Sequence, residues 1–154
     1  MYKKILVAVD GSDVSNAALD YAIKLASTVY ATLRLVHVLE GPSHLPGDDR
    51  RRSLAQTYVD ALRQECDRVL FEASVRARRA GVEVECMLAE SDTERAGHAI
   101  VTQAKLCNAD LIVVGTHGRR GLHRVLMGSD AEYVVRHAKP HVMVIRSGAL
   151  TPSA

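Results

Sequence analysis

The sequence is poor in aromatic residues and in net charge. Its 154 residues include no tryptophan, one phenylalanine and five tyrosines. So few aromatic side chains argue against a stacking surface for single-stranded nucleic acid. The formal net charge is +2, from 20 lysines and arginines against 18 aspartates and glutamates, which is too balanced for a nucleic-acid-binding or membrane-binding surface. We therefore expect no nucleic acid and no membrane among its partners.

Cysteines and long apolar segments are also scarce. The three cysteines, Cys66, Cys86 and Cys107, form neither a disulfide framework nor a CxxC pair. We interpret them as small buried hydrophobic residues in a reducing compartment. The apolar run at residues 5–9 is too short for a signal peptide, and no run approaches the ~20 residues of a membrane span. A cytoplasmic location is the expectation.

Apolar runs typical of buried strands alternate with helical patterns along the chain. The runs occupy residues 5–9, 33–38, 82–88, 110–114 and 142–145. Between them, apolar residues recur at helical spacing, most extensively over residues 50–80. Four strand–helix repeats and a last strand predict an α/β protein with an open parallel sheet covered by helices on both faces. We expect one domain over residues 1–148 and a loose tail over 149–154.

Local motifs predict where three helices begin. Ser12 or Asp13 can cap the helix that follows the first strand. The sequences Ser-Asp-Thr-Glu and Ser-Asp-Ala-Glu match a capping box. They begin at Ser91 and Ser129, which we predict to be the N-caps of the third and fourth helices.

The loop after the fourth predicted strand has the makings of an anion-binding site. Ligands of open α/β sheets bind beyond the carboxyl ends of the strands. Gly115 and Gly118 let the backbone approach a ligand closely, because glycine has no Cβ. Gly128 and Ser129 stand at the start of the last predicted helix, whose free N–H groups and positive dipole end favour phosphate.

The glycine spacing of this loop, G-x2-G-x9-G-S, is neither a Walker A motif nor the dinucleotide motif G-x-G-x-x-G. Arg119, together with Arg120 and Arg124, adds positive potential to the loop. Asp130 suits the helix dipole but opposes a polyanion. The alternative is that the glycines form only a tight turn and that Ser129 only caps the helix.

Three other polar residues belong to the same predicted edge of the sheet. Asp10 follows the first strand, where it either binds a ligand or caps the next turn. His117 and His123 lie in the glycine loop, and we interpret both as solvated loop residues rather than catalytic groups. The other five histidines show no metal-ligand spacing, so no zinc site is expected.

These motifs together resemble the universal stress protein family, in its nucleotide-binding branch. The resemblance covers about residues 3–146 and depends on ILVAVDGS at 5–12, VHV at 36–38, DLIVVG at 110–115 and the glycine spacing. It implies a Rossmann-like five-stranded sheet in the order 3-2-1-4-5, with ATP bound between strands one and four. His141 departs from the family, whose members often carry proline or a small residue there.

The resemblance also implies a role for each candidate residue. Asp10 would hold the ribose or adenine edge of the pocket, Val38 would contact adenine through its backbone, and Val114 would line the base pocket. The residues that would hold the phosphates are Gly115, Gly118, Gly128 and Ser129.

The fifth predicted strand is a candidate dimer interface. Its residues are Val142, Met143, Val144 and Ile145. An apolar strand at a sheet edge is rarely left bare, and pairing with a second copy would cover it. The resemblance likewise implies a homodimer through this strand.

We therefore expect an ATP-binding stress-response or signalling protein that acts as a homodimer. A Mg²⁺ or Mn²⁺ ion could bridge the phosphates, with Asp10 in indirect contact. The sequence offers no positioned general base and no Walker lysine, so we expect slow ATP hydrolysis at most. Two alternatives stay open: an enzyme of phosphoryl or adenylyl transfer, and a dimeric interaction module without a nucleotide.

Overall fold

Strands and helices alternate along the whole described chain, as the apolar pattern predicts. The computed structural model describes residues 1–40, 49–91, 95–117 and 127–146, with the backbone alone described over 49–55. The elements are, in order, β1 (Lys4–Ala8), α1 (Asp13–Val29), β2 (Thr32–Glu40), α2 (Asp49–Arg79), β3 (Val84–Ser91), α3 (Ala96–Leu106), β4 (Leu111–Gly115), α4 (Ser129–His137) and β5 (His141–Ile145). The predicted tail lies outside the described residues.

The five strands form one parallel sheet in the order β3-β2-β1-β4-β5. β1 is central, because Ile5 pairs with Leu33 of β2 on one side and with Leu111 of β4 on the other. The chain builds one half of the sheet outward from β1 to β3, then returns to build the other half from β4 to β5. The predicted fold class and strand order are confirmed, and the point of reversal lies between β1 and β4.

Each face of the sheet carries its own apolar core. Neighbouring residues of a strand point to opposite faces, so Val7 packs under α1 and α2 while Leu6 packs under α3 and α4. β1 and β4 are covered on both faces, which explains why residues 5–8 and 111–114 are apolar at every position rather than at alternate ones. Within the described ranges, no helix is both long and apolar enough to cross a membrane.

The first helix begins as predicted, and the second has a well-defined end. The Ser12 Oγ accepts a hydrogen bond from the Ser15 N–H at 3.2 Å and caps α1. Beyond α2, Gly81 has a φ of +75°. The N–H of Val82 then donates to the Ala77 carbonyl at 3.1 Å, which is a Schellman ending.

The two capping-box predictions are wrong. Ser91 is the last residue of β3 and pairs with Glu40, so strand pairing overrides the local signal, and α3 begins only after Arg95 as its N-cap. At α4 the N-cap is Gly128, whose extended backbone precedes the helix, and Ser129 is already the first helical residue.

The expectation of three buried cysteines holds only in part. Cys66, in α2, is buried. Cys86 is exposed, because it lies in the edge strand β3, and Cys107 is half-buried at the end of α3.

Asp110 ties the amino ends of the two central strands together. One of its carboxylate oxygens, Oδ2, accepts hydrogen bonds from the N–H groups of Lys3 at 2.7 Å and Lys4 at 2.9 Å. Its own N–H donates to the Lys4 carbonyl at 2.8 Å. The bonds from the backbone of Lys4 and Lys3 lower the pKa of Asp110 below its ordinary value.

Replacing Asp110 by alanine is expected to lower the free energy of unfolding at pH 7 by about 1 kcal/mol, a modest value because the carboxylate is exposed. The lowered pKa means that this contribution is complete at neutral pH and is lost as the pH falls through it. Urea unfolding at a series of pH values should show wild type and variant converging in acid. Asp67→Ala, on the exposed side of α2, is the control, and equal stability of wild type and Asp110→Ala at pH 7 would contradict this role.

Candidate functional site

A cavity of about 470 Å³ opens at the carboxyl edge of the sheet. It lies where the strand order reverses, which is the usual ligand position in this architecture. Its walls come from the ends of β1, β2 and β4, from α2 and α3, and from the first turn of α4. Six of the predicted site residues line it together, namely Asp10, Val38, Val114, Gly115, Gly128 and Ser129. Gly118 and Arg119 lie outside the described residues.

Asp10 stands in a turn that its own side chain organises. Its Oδ1 accepts from the Ser12 N–H at 2.9 Å, and its N–H donates to the Ser15 Oγ at 3.0 Å. Gly11 supports the turn with a φ of +79°. The turn-capping role is therefore observed, and Asp10 also lines the cavity.

Val38 presents its backbone toward the cavity. β1 ends at Ala8, and the N–H of the next residue, Val9, donates to the Val36 carbonyl at 2.9 Å. The backbone groups of alternate strand residues point to the same side, so those of Val38 point to the same side as those of Val36. Beyond the end of β1, that side is the cavity.

Gly115 is required by a contact within the protein. A Cβ at this position would lie 2.8 Å from Cγ1 of Val14 and 3.2 Å from the carbonyl oxygen of His117. The absence of a side chain therefore lets the end of β4 lie directly against the first turn of α1. The sequence predicted that Gly115 allows a ligand to approach the backbone closely. The structure shows that Gly115 also allows α1 to approach it closely.

The first turn of α4 is held against the sheet by Thr116. The N–H of Thr116 donates to the Ile145 carbonyl, and the N–H of Gly128 donates to the Thr116 carbonyl, both at 2.7 Å. Gly128 therefore has its own N–H occupied. Gly128 makes no side-chain cap, and the first N–H groups of a helix have no acceptor within it. The helix start thus offers backbone donors from Ser129 onward.

Several lining residues were not predicted as site residues. Leu62 and Cys66 come from the apolar face of α2, and His37 is a buried residue of β2 next to Val38. A signal existed for His37, since it stands in the strand end that contains Val38. Leu62 and Cys66 could not be separated from core positions by their spacing.

His117 differs from the prediction of a solvated loop residue. It is half-buried, lines the cavity, and places its Nδ1 3.0 Å from the Oγ1 of Thr116. His123, Arg120 and Arg124 lie outside the described residues.

Within the described part of the chain, the cavity lining contains acidic residues but no lysine or arginine. The three carboxylates are those of Asp10, Glu40 and Asp130. Among the described residues, no group of three or more potential ligands could hold a metal ion. From these residues, attraction for an anion must come from backbone N–H groups and from the helix dipole.

Fold and cavity define an α/β protein with a binding cavity at the switch point of a parallel sheet. The chain belongs to the universal stress protein family, whose model matches residues 1–146. Universal stress protein YxiE of Bacillus subtilis is 31% identical over 160 residues, covering 95% of this chain and 100% of that protein. The structure of universal stress protein UspA from Lactobacillus plantarum matches with a TM-score of 0.81 and 28% identity, over 94% of this chain and 98% of that one.

Two further solved structures contain an adenine nucleotide. One is a universal stress protein in complex with cAMP, with a TM-score of 0.65 and 27% identity over 93% of this chain and 96% of that one. The other is the universal stress protein of Archaeoglobus fulgidus in complex with dAMP, with a TM-score of 0.67 and 26% identity over 94% of this chain and 98% of that one.

Gly115→Ala is expected to destabilise the protein by about 1–3 kcal/mol, the usual range for overpacking a close contact. Gly128→Ala is the matched comparison, because its Cβ would come no closer than 3.2 Å to the Thr116 carbonyl oxygen, and it should cost less. Removing Cγ1 in the double variant Val14→Ala, Gly115→Ala should recover part of the loss in a double-mutant cycle of urea unfolding. Strict additivity would show that Val14 is not the obstacle.

Proposed function

We propose that the protein binds an adenine nucleotide, with ATP as its ligand, in the cavity between β1 and β4. One observation carries this proposal: the start of α4, without a side-chain cap, faces an apolar cavity at the switch point of the sheet. A cavity of about 470 Å³ lies within the range of small-molecule sites, roughly 300–1,000 Å³. The two relatives with bound cAMP and dAMP support the same ligand class.

The apolar part of the cavity suits the base. Val38, Ile100 and Val114 line it, and the outward backbone N–H and C=O of Val38 match the donor and acceptor edge of adenine. Asp10 is the carboxylate that would accept hydrogen bonds from ribose hydroxyls. With the base in the apolar part of the cavity and the ribose at Asp10, the start of α4 is the remaining place for the phosphates.

The phosphates would lie at the first turn of α4. Ser129 supplies a backbone N–H at the positive end of the helix, together with a hydroxyl that can donate to a phosphate oxygen. Gly115 and Gly128 shape the same wall. Gly118 and Arg119 stay predicted phosphate contacts.

A bridging Mg²⁺ or Mn²⁺ would depend largely on the nucleotide. The described residues provide no metal cluster of their own, so its ligands would be phosphate and water oxygens, with Asp10 in indirect contact. No general base is assigned among the described residues, and slow hydrolysis at most is proposed. We place this activity in a stress-response or signalling role. The cytoplasmic location and the 1–148 domain boundary stay predictions.

Ser129→Glu is expected to weaken ATP binding by at least tenfold, which corresponds to about 1.4 kcal/mol. A carboxylate at the helix start repels phosphate yet suits the dipole, so the melting temperature should not fall. Val135→Glu is the control, since it adds the same charge to an exposed position of α4. Isothermal calorimetry with ATP, ADP, AMP and cAMP measures the affinities, and mass spectrometry identifies nucleotide released from freshly purified, denatured protein.

Two outcomes would replace the proposal. Absence of heat with every nucleotide favours an interaction module without a ligand. Turnover of several ATP molecules per minute, lost in His117→Ala, favours a phosphoryl- or adenylyl-transfer enzyme, for which the half-buried position of His117 in the cavity is the relevant observation.

We also propose a homodimer through β5. β5 is an edge strand that pairs with β4, and Val142, Met143 and Val144 are half-buried in the single chain. The backbone groups of His141 and Ile145 point toward β4, so by alternation those of Val142 and Val144 point outward. These outward groups are available to a second copy of the strand.

The wild-type protein is expected to sediment as a dimer at micromolar concentration. Val142→Pro removes an outward N–H without disturbing the bonds to β4, a position where proline is tolerated in edge strands, and should shift the protein toward monomer with an unchanged circular dichroism spectrum. Analytical ultracentrifugation of the wild type and the variant measures the oligomeric state of each. A monomeric wild type would overturn the dimer.

A further inference from the structure

The first turn of α3 takes its cap from α4. Arg95, the N-cap of α3, makes no side-chain capping bond, and the first turn of α3 contains no acidic residue. The N–H of Gly97 donates instead to Oδ1 of Asp130 at 2.8 Å. A carboxylate at this place satisfies a donor that has no acceptor within its own helix, and it lies at the positive end of the dipole. Asp130 therefore caps α3 from a position 33 residues away.

The two first turns also touch directly. A Cβ at residue 97 would lie 2.8 Å from the Asp130 carbonyl oxygen and 3.0 Å from the Cβ of Tyr133. Gly97 is thus the position that lets α4 approach α3 this closely. Any side chain there would push the start of α4 away, and with it Ser129.

The start of α4 is consequently fixed on two sides. On the sheet side, the N–H of Gly128 is bound to the Thr116 carbonyl. On the α3 side, the Asp130 carboxylate is bound to Gly97. Ser129, the proposed phosphate contact, stands between these two attachments. The same bond brings the Asp130 charge against the dipole of α3, which offsets its repulsion of a nearby anion.

We infer that Asp130 is a positioning residue for phosphate binding, an inference that rests on the nucleotide-binding function proposed above. It does not need to touch the ligand. It docks the first turn of α4 onto α3, so that the Ser129 N–H is aimed into the cavity before the nucleotide arrives. Preorganised donors bind more tightly, because they lose less freedom on binding.

This role and simple charge repulsion predict opposite results. If Asp130 only repelled phosphate, Asp130→Ala would bind ATP more tightly than wild type. If Asp130 is a positioning residue, Asp130→Ala should weaken ATP binding about tenfold, because binding must then order the start of α4, which the bond to Gly97 otherwise holds in place. Asp130→Asn keeps an oxygen that can accept from Gly97 and should bind at least as tightly as wild type. Glu132→Ala removes an equal charge from the same helical turn, where Glu132 pairs with Arg136 on the surface, and should change affinity less than twofold.

Calorimetry with ATP, together with amide hydrogen exchange without ligand, distinguishes the positioning role of Asp130 from charge repulsion. Exchange at the Gly97 and Gly128 amides, which are hydrogen-bonded in the wild-type protein, should accelerate in Asp130→Ala and stay slow in Asp130→Asn and Glu132→Ala. Tighter or unchanged ATP binding by Asp130→Ala, or equal weakening in Asp130→Asn, would overturn the positioning role. If wild type binds no nucleotide, the proposed function fails. The exchange of Gly128, whose N–H is bound to the Thr116 carbonyl, then still decides whether Asp130 fixes the start of α4: acceleration in Asp130→Ala supports it and unchanged exchange overturns it.

Discussion

The backbone of Thr116 is the constraint on which the site depends. Its N–H is bound to β5 and its carbonyl receives the N–H of Gly128. Thr116 directly follows β4, and its carbonyl is hydrogen-bonded to Gly128, the residue directly before α4. The helix start is thereby held at the carboxyl edge of the sheet, close to the end of β1, whatever path the intervening residues take. A helix held elsewhere would direct its dipole away from the cavity.

The cavity combines features that oppose each other electrostatically. The described lining contains the carboxylates of Asp10, Glu40 and Asp130, while the donors available to an anion at the start of α4 are backbone N–H groups and the Ser129 hydroxyl. Two of these carboxylates are engaged in local structure, Asp10 with the Ser12 N–H and Asp130 with the Gly97 N–H. Their charges therefore serve the turn after β1 and the start of α3. Backbone donors, which carry no counter-charge of their own, are left to face the cavity.

Much of the fold could be predicted from residue patterns, because buried parallel strands and amphipathic helices have different periods. The strand order was implied by the family resemblance rather than by the pattern. The location of the site followed from the rule for open parallel sheets and from the positions of Asp10 and the glycines. The predictions that failed concern residues whose structure is determined by contacts distant in sequence. Pairing with Glu40 made Ser91 part of a strand, which no local motif indicates.

The unpredicted parts of the site have the same origin. Gly115 faces Val14, a residue of the first helix, and no local sequence signal reveals that contact. Asp130 was interpreted from its place in α4 alone, whereas its hydrogen-bond partner is in α3. Leu62 and Cys66 have the helical spacing of core residues, and they line the cavity because the core and the cavity share a wall.

A crystal structure grown with millimolar ATP would show whether the start of α4 binds phosphate. We expect phosphate oxygens within hydrogen-bond distance of the Ser129 N–H, with adenine against the backbone of Val38. A nucleotide bound away from the start of α4, or a cavity filled by the protein's own loop residues at that concentration, would contradict it.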